Sequence, residues 1–415
     1  MRPAADRGRV WQELEQLATF SDATPPAVTR IVFTEHDRRA REFFRSRCEA
    51  AGLAVRADAV GNTFARWQGT SPDLPAVATG SHIDAIPNAG RFDGTVGVFG
   101  GLEAVRVLQA AGVRPRRSID VIMFTSEEPT RFGLGCLGSR LLEGSIDATV
   151  GQTLRGADGL TLDEARQAAG FSGSLDNVRL GAGAYAAFVE LHIEQGPLLE
   201  RAGDDIGIVT AIAAPASVRV FIEGQGGHAG AVLMPDRHDA FLAASEIALA
   251  LEDAVRTLGS IDTVGTVGVC DVFPGAINSI PSRVRIEIDL RDVDEERRNR
   301  VWRHAEQAGA LVAARRGVTV RSVIINMDPP ATCAAAIVHA VSAACAARAL
   351  QHQRMISRAY HDSLFMARVA PTGMIFIPCR DGVSHRPDEY ADPDAIARGV
   401  EVLADTLATL AGEAS

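Results

Sequence analysis

LPAVATGSHIDAIPNAGRFDGTVGVFGGLEAVRVLQAA, residues 74–111, carries the pattern from which the fold follows. Its first part, LPAVATGSH (74–82), reads as a short buried strand ending in a Gly-Ser-His turn. From Gly94 to Ala111 the chain reads as a helix, small and apolar at its start. The same alternation recurs on both sides. Asp37 to Ala51 predicts a helix with apolar and Arg-rich faces. SIDVIMFTSEE (118–128) is a strand with carboxylates at its carboxyl end, and AYAAFVELHIEQG (184–196) is another. Alternating strands and helices predict an α/β domain, a mixed sheet flanked by helices, with ligands expected at the carboxyl ends of its strands.

The pattern changes near Val209. SVRVFIEG (217–224) reads as a strand, Asp236 to Leu258 as a long amphipathic helix, and TVGTVGVCDVF (263–273) and SRVRIEIDLRD (282–292) as two strands. A helix from Glu295 to Arg315 and a closing strand GVTVRSVIIN (317–326) follow. That order, βαββαβ, is the ferredoxin-like α+β unit. It is self-contained, so residues 211–325 read as a domain inserted into an α/β domain made of 1–210 and 326–415. The α/β character returns with the helix AAAIVHAVSAACAARA (334–349), the strand GMIFIPC (373–379) and a terminal helix from Pro393.

Composition narrows the possibilities. The 415 residues are 47% hydrophobic and 23% charged, a soluble globular balance. A net charge of −10 argues against nucleic-acid binding. All 42 basic residues are Arg, so Schiff-base chemistry and a phosphate-binding P-loop, which both need Lys, are excluded. The six Cys are scattered without CxxC spacing, which suits small buried hydrophobes in a reducing compartment. The first twenty residues read as an amphipathic helix without an apolar signal core, and no run approaches about 18 apolar residues, so a cytoplasmic protein without membrane contact is expected.

Polar residues gather at the strand ends. His82 and Asp84 stand two apart, so they share a face, and Asp84 is placed to take the second ring proton of a metal-bound His82. Asp93 lies in RFDG just before a helix, where a carboxylate can bridge two cations or simply cap the helix. Glu127 and Glu128 repel each other unless a cation or proton lies between them. Neighbours on a strand point opposite ways, so one can bind metal while the other acts as general base, or both can be a solvated strand end. LHIEQG sets Glu190, His192 and Glu194 on one strand face, and His385 follows the strand GMIFIPC. Each His alone fits a core or surface residue; together, nitrogen and oxygen donors of this kind suit zinc, manganese, cobalt or nickel. In the inserted domain, GQGGHAG (224–230) puts His228 in a Gly-rich turn, and Asn278 sits in PGAINSIP. Arg291 is the natural bidentate partner of a substrate carboxylate, or of Asp289 or Asp292. DGTVGVFGG (93–101) lacks the strand immediately before it that a dinucleotide fingerprint needs.

These motifs together resemble the two-metal aminoacylase and carboxypeptidase-G-like amidohydrolases, in the branch of allantoate amidohydrolase, N-carbamoyl-L-amino-acid hydrolase and ureidoglycolate amidohydrolase. The resemblance runs through GSHIDAIPNAGRFDG, FTSEEPTRFG, ELHIEQGPLLE, GGHAGAVLMP, PGAINSIPS, RAYHDSLFMA and GVSHRP. It implies two divalent ions per subunit, manganese foremost with zinc, cobalt or nickel also suited. Asp93 would bridge them, His82 and His192 would complete one shell, and Glu128 and His385 the other. Glu127 would be the general base on the attacking water. The resemblance also implies a homodimer through the inserted domain, with His228 stabilising an oxyanion in the partner's site beside Asn278 and Gln195, and Arg291 holding the substrate carboxylate. One departure bears on specificity. Many relatives that act on allantoate or carbamoyl amino acids carry Gly-Ala-Gly-His-Asp where this chain has Arg358-Ala359-Tyr360-His361-Asp362. That is similar to the ureidoglycolate branch, as is EEPTRFGLGCLGSRLL (127–142), and implies a small ureido carboxylate substrate bound near Tyr360 and His361. A metal-free binding protein on the same fold would show eroded ligands, whereas all five are present.

Overall fold

The strand Ala76–His82 is buried at every position, as a strand covered on both faces must be, and it lies near the middle of a nine-stranded sheet in the computed structural model, which describes residues 4–181 and 183–413. Ile119–Phe124 runs parallel to it on one side and Tyr185–Ile193 on the other. Thr372–Ile377 adds a fourth parallel strand beyond Tyr185–Ile193. Antiparallel strands flank this centre: Ile206–Ile212 pairs with Thr372–Ile377, and Thr63–Trp67 pairs with both Ile119–Phe124 and Ala54–Ala57. The sheet is mixed, as the alternation of elements predicts.

Helices cover it. Thr95–Ala110 and Pro393–Ala411 pack on each other and on the central strands. A second apolar cluster joins Ala78, Ile122, Phe124 and Phe188 to Leu137, Leu141 and Met366 from the short helices Leu137–Glu143 and Asp362–Met366. Capping sets the helix boundaries. Thr34 accepts from the Asp37 N–H, so the second helix begins at Glu35, two residues before the sequence expectation. Asp392 caps Pro393–Ala411, with the proline in the first turn where no N–H is needed.

The chain forms two compact units. One holds the residues up to Thr210, Thr332–Ser357 and those from His361 onward; the other holds Ala211–Ala331 with Arg358–Tyr360. The second crossing therefore falls at Thr332 rather than at residue 326, because the last strand of the smaller unit runs Thr319–Met327 and Asp328 still donates to Pro215 O. In the smaller unit the order is Ala214–Glu223, helix Ala240–Leu258, Val264–Phe273, Arg283–Asp292, helix Glu295–Arg316 and Thr319–Met327. The four strands are antiparallel. Val218, Val220, Ile222, Ile286 and Ile288 bury one sheet face against Ala243, Ile247 and Val301 of the helices. The first of these helices starts at Ala240, not Asp236, because Asp239 caps it by accepting from Phe241 and Leu242.

Several elements escape the hydrophobic pattern. Val28–Arg30 pairs with Ala85–Ala89, and His352–Ser357 pairs with Ile206–Ile212. These strands are short and mix polar with apolar residues, so period-two alternation never develops. Among the described residues no helix is long and apolar enough to cross a membrane. All six cysteines are unpaired.

Candidate active site

The four parallel strands end along one edge, and each delivers a polar side chain there. His82 closes Ala76–His82 and lies in register with Phe124, the last residue of its own strand. His192, one residue from the end of Tyr185–Ile193, lies beside Phe376. Glu127 and Glu128 follow Phe124, and His385 follows Thr372–Ile377. Asp93 comes from the loop that enters the helix Thr95–Ala110.

Asp93 is the centre of the arrangement. Its Oδ1 is 3.1 Å from His192 Nε2 and 3.6 Å from His82 Nε2. Its Oδ2 is 3.2 Å from His385 Nε2, which is also 3.2 Å from Glu128 Oε1. Two donor triads result, His82–Asp93–His192 and Asp93–Glu128–His385, each with its donor atoms within 4.8 Å of one another. A third group, Glu190, His192 and His361, is equally compact. Its carboxylate is engaged elsewhere, however: Glu190 accepts from Ser81 Oγ at 2.7 Å and from Ser363 Oγ and N at 2.6 and 3.1 Å. It buttresses the strand end rather than offering a free oxygen pair.

The ring protons support cation binding. His82 Nδ1 lies 3.0 Å from Asp84 O, and His192 Nδ1 lies 2.9 Å from Ile193 O. A carbonyl only accepts, so each Nδ1 carries the proton and each Nε2 turns a lone pair toward Asp93. Gly94 N lies 3.0 Å from the same His192 Nε2. Lone pairs facing carboxylate oxygens repel unless a proton or cation lies between them. Imidazole and carboxylate donors around one shared carboxylate fit a pair of divalent ions.

The close approach of these groups also shifts their proton affinities. Burial alone would lower His82, but Glu127, Asp93 and Asp84 raise it well above the usual histidine range. Burial works to raise Asp93, yet its contacts with His192, His385 and His82 hold it well below the usual carboxylate range. Hydrogen bonds to Asp93 and Glu128 push His385 up to about 11. Burial raises Glu127 well above its ordinary value, opposed by His82 and reinforced by Glu128.

Several roles differ from the sequence expectation. The His82 Nδ1 proton goes to the Asp84 backbone carbonyl at 3.0 Å, with the Asp84 carboxylate farther off at 3.7 Å. The carboxylate instead accepts the N–H groups of Glu127 at 3.3 Å and Glu128 at 3.0 Å, which fastens their loop to the His82 strand. Glu127 and Glu128 do not alternate on a strand, because the strand ends at Phe124 and Ser126, at φ +55°, turns the chain. Both carboxylates therefore reach the site, with Glu127 Oε2 3.6 Å from His82 Nε2. Glu194 lies beyond its strand and caps the next helix through Leu198 and Leu199 N–H. Gln195 Nε2 donates to Asp93 Oδ2 at 2.7 Å, so it sits beside the shared carboxylate. His361 is buried, its ring edge-on to His192 at 4.5 Å and its Nε2 3.0 Å from Ser357 Oγ.

In the smaller unit, His228 and Asn278 lie together, Ala229 N donating to Asn278 O at 2.9 Å. Asp289 grips Arg291 bidentately at 2.7 and 2.9 Å. Its guanidinium also lies 5.5 Å from the Tyr360 ring centroid, and Asp262 holds Arg358 at 2.6 Å. Arg291 and the Arg358–Tyr360 segment, far apart in sequence, thus form one cluster. Sequence reasoning missed Ser384 and Glu389. Ser384 Oγ lies 2.8 Å from Asp93 Oδ2 and 2.9 Å from Glu389 Oε2. Nothing in GVSHRPDEY separates Glu389, which is buried, from its exposed neighbours Arg386 and Asp388.

The Arabidopsis thaliana protein named ureidoglycolate hydrolase is 52% identical over 414 residues, covering 98% of this chain and 87% of that one. The N-carbamoyl-L-amino acid amidohydrolase of Geobacillus stearothermophilus is 39% identical over 97% of this chain and 98% of its own. The crystal structure of AtUAH in complex with glyoxylate superposes with a TM-score of 0.92 at 52% identity, covering 99% of both chains. The model of Peptidase family M20/M25/M40 matches residues 78–409, a span that includes every residue of the two donor triads, and the chain belongs to that family.

Proposed function

We propose that this chain is an amidohydrolase that cleaves the ureido C–N bond of a small carboxylate, with ureidoglycolate as substrate. Net, ureidoglycolate and one water become glyoxylate, two ammonia and carbon dioxide. The observation that carries this is the single carboxylate, Asp93, shared by two donor triads with a proton-hungry Glu127 alongside. The relatives' names select the substrate within that chemistry.

Two divalent ions, manganese foremost with zinc, cobalt or nickel also suited, would be held by His82, His192, Asp93, Glu128 and His385; when bound they polarise a carbonyl and lower the pKa of water. Glu127 takes the proton from the attacking water and delivers it to the leaving nitrogen. A carboxyl with raised proton affinity suits both halves of that transfer. Asp84 supports the step by fastening the Glu127–Glu128 backbone. Gln195 orients Asp93 and, on the substrate side, adds an amide to the pocket. His228 and Asn278 stabilise the tetrahedral oxyanion. Arg291, its plane set by Asp289 and Tyr360, binds the substrate carboxylate; Tyr360 and His361 belong to the substrate-binding set, and the bulk of Arg358 and Tyr360, where relatives carry Gly, disfavours allantoate. Residues 211–331 act as a ferredoxin-like lid and dimerisation domain, His228 reaching the partner's site in the homodimer. The unpaired cysteines suit a cytoplasmic protein.

An ammonia-release assay with manganese, comparing ureidoglycolate, allantoate and N-carbamoyl amino acids, tests the substrate. Faster turnover of allantoate or a carbamoyl amino acid would reassign the chain to one of the related activities. Metal analysis of protein purified without added metal tests the class: a metal-free chain with no turnover would make it a binding protein on this fold. Glu127→Gln should retain metal and lose several powers of ten in turnover; near-normal turnover would remove Glu127 from its role.

A further inference from the structure

We propose that Glu389 is a positioning residue: it clasps the Asp93 loop to the His385 loop and so presets the Asp93–Glu128–His385 triad before a cation arrives. The inference rests on the assignment of those three residues as ligands.

Asp93 and Glu389 are 296 residues apart in sequence, and neither a strand nor a helix joins their loops. Glu389 is 4% exposed. Its Oε1 accepts the N–H groups of Phe92 at 2.8 Å and Asp93 at 3.1 Å, so the backbone that carries the shared ligand hangs from this carboxylate. Its Oε2 lies 2.9 Å from Ser384 Oγ, the residue before His385, and that hydroxyl reaches Asp93 Oδ2 at 2.8 Å. One side chain thus fixes both the main chain of Asp93 and the side-chain oxygen that faces His385.

The surroundings are built to the same end. A Cβ at position 90 would overlap the Glu389 side chain, so Gly90 leaves its path open. Phe92 and Tyr390, each next to a clasped residue, pack together at 6.0 Å and against Trp11 at 5.6 and 6.1 Å. His385 has a φ of +58°, a left-handed backbone that a non-glycine residue keeps only where its surroundings hold it. The clasp acts on Oδ2, the oxygen turned toward His385, while Oδ1 faces His82 and His192. Outer partners of ligating carboxylates orient them in this way.

The test is a calorimetric titration of Mn²⁺ into the metal-stripped full-length chain, with thermal melting of each metal-stripped variant. The wild type should show two binding events. Glu389→Ala should weaken one event by about tenfold or more and the other clearly less, since Asp93 is shared but the Ser384 link acts on the oxygen facing His385. Ser384→Ala should weaken the same event by less. Glu389→Gln should restore it, because an amide still accepts from the two N–H groups and donates to Ser384 Oγ. Two wild-type events in Glu389→Ala, equal loss of both events together with a lowered melting point, or a Glu389→Gln as weak as Glu389→Ala would each overturn the proposal. A wild-type chain that takes up no Mn²⁺ would instead overturn the ligand assignment beneath it.

Discussion

Main-chain carbonyls decide what His82 and His192 can do. By accepting the Nδ1 protons they leave each Nε2 as the ligating atom that faces Asp93, and no spacing rule announces a backbone partner. The proton on His385 has a measurable consequence. Its pKa, pushed up to about 11 by Asp93 and Glu128, keeps it charged at neutral pH in the metal-free chain. A cation that binds there must displace that proton. Binding should therefore release protons, and affinity should rise with pH up to the metal-free pKa, reduced in size because the side chain is 47% exposed and partly screened. Calorimetry in buffers of different ionisation heat checks this, and an enthalpy independent of buffer would contradict it. Gly94 is a second residue-scale constraint. It has a φ of +66°, and a Cβ there would overlap the His82 ring. Gly94→Ala should cost about 1–2 kcal/mol from the backbone alone and displace a ligand as well. The expected result is a lower melting point with impaired Mn²⁺ uptake; a variant that binds as the wild type would show that the loop adjusts freely.

At the scale of elements, the small apolar start of the helix Thr95–Ala110 is a packing device. A side chain at Gly97 would overlap the Leu191 carbonyl, and one at Gly100 would come within 2.9 Å of Leu191 Cδ2. The helix therefore sits almost directly on the strands that carry His82 and His192, and the loop that enters it carries Asp93 into place. Gly97→Ala should lower the denaturant midpoint, by about 1–3 kcal/mol in stability, as overpacking does. An unchanged midpoint would mean the helix shifts without resistance. This element is legible in the sequence because its composition and its helical period coincide. The strands that supply ligands are legible for a similar reason. A continuous apolar run marks a buried strand, and a His or Glu at its tip would cost stability there unless it met a partner. The paired edge strands Val28–Arg30 and Ala85–Ala89 are not legible, because short mixed strands gain their stability from a partner remote in sequence.

At the scale of the whole molecule, the larger unit closes on itself across the insertion: Cys333 N donates to Thr210 O at 2.9 Å. A short Gly-Ser linker in place of 211–331 should therefore let that unit fold and take up two cations, while turnover of ureidoglycolate is lost with His228, Asn278 and Arg291. Retained turnover would show that those three residues are dispensable. Residue type, period and order were enough to read the α/β class and to gather candidate donors at the strand ends, because these are local properties of the chain; the choice of Glu127 over Glu128 as general base came only with the family resemblance. The folded arrangement was needed to show that Asp93 faces all three histidines, that Asp84 acts through the backbone of Glu127 and Glu128, that Arg291 pairs with Asp289 beside Tyr360, and that Glu389 is buried behind the site. Each of these depends on segments meeting at one distance and angle, and on a backbone group or a buried surface that residue identity does not encode.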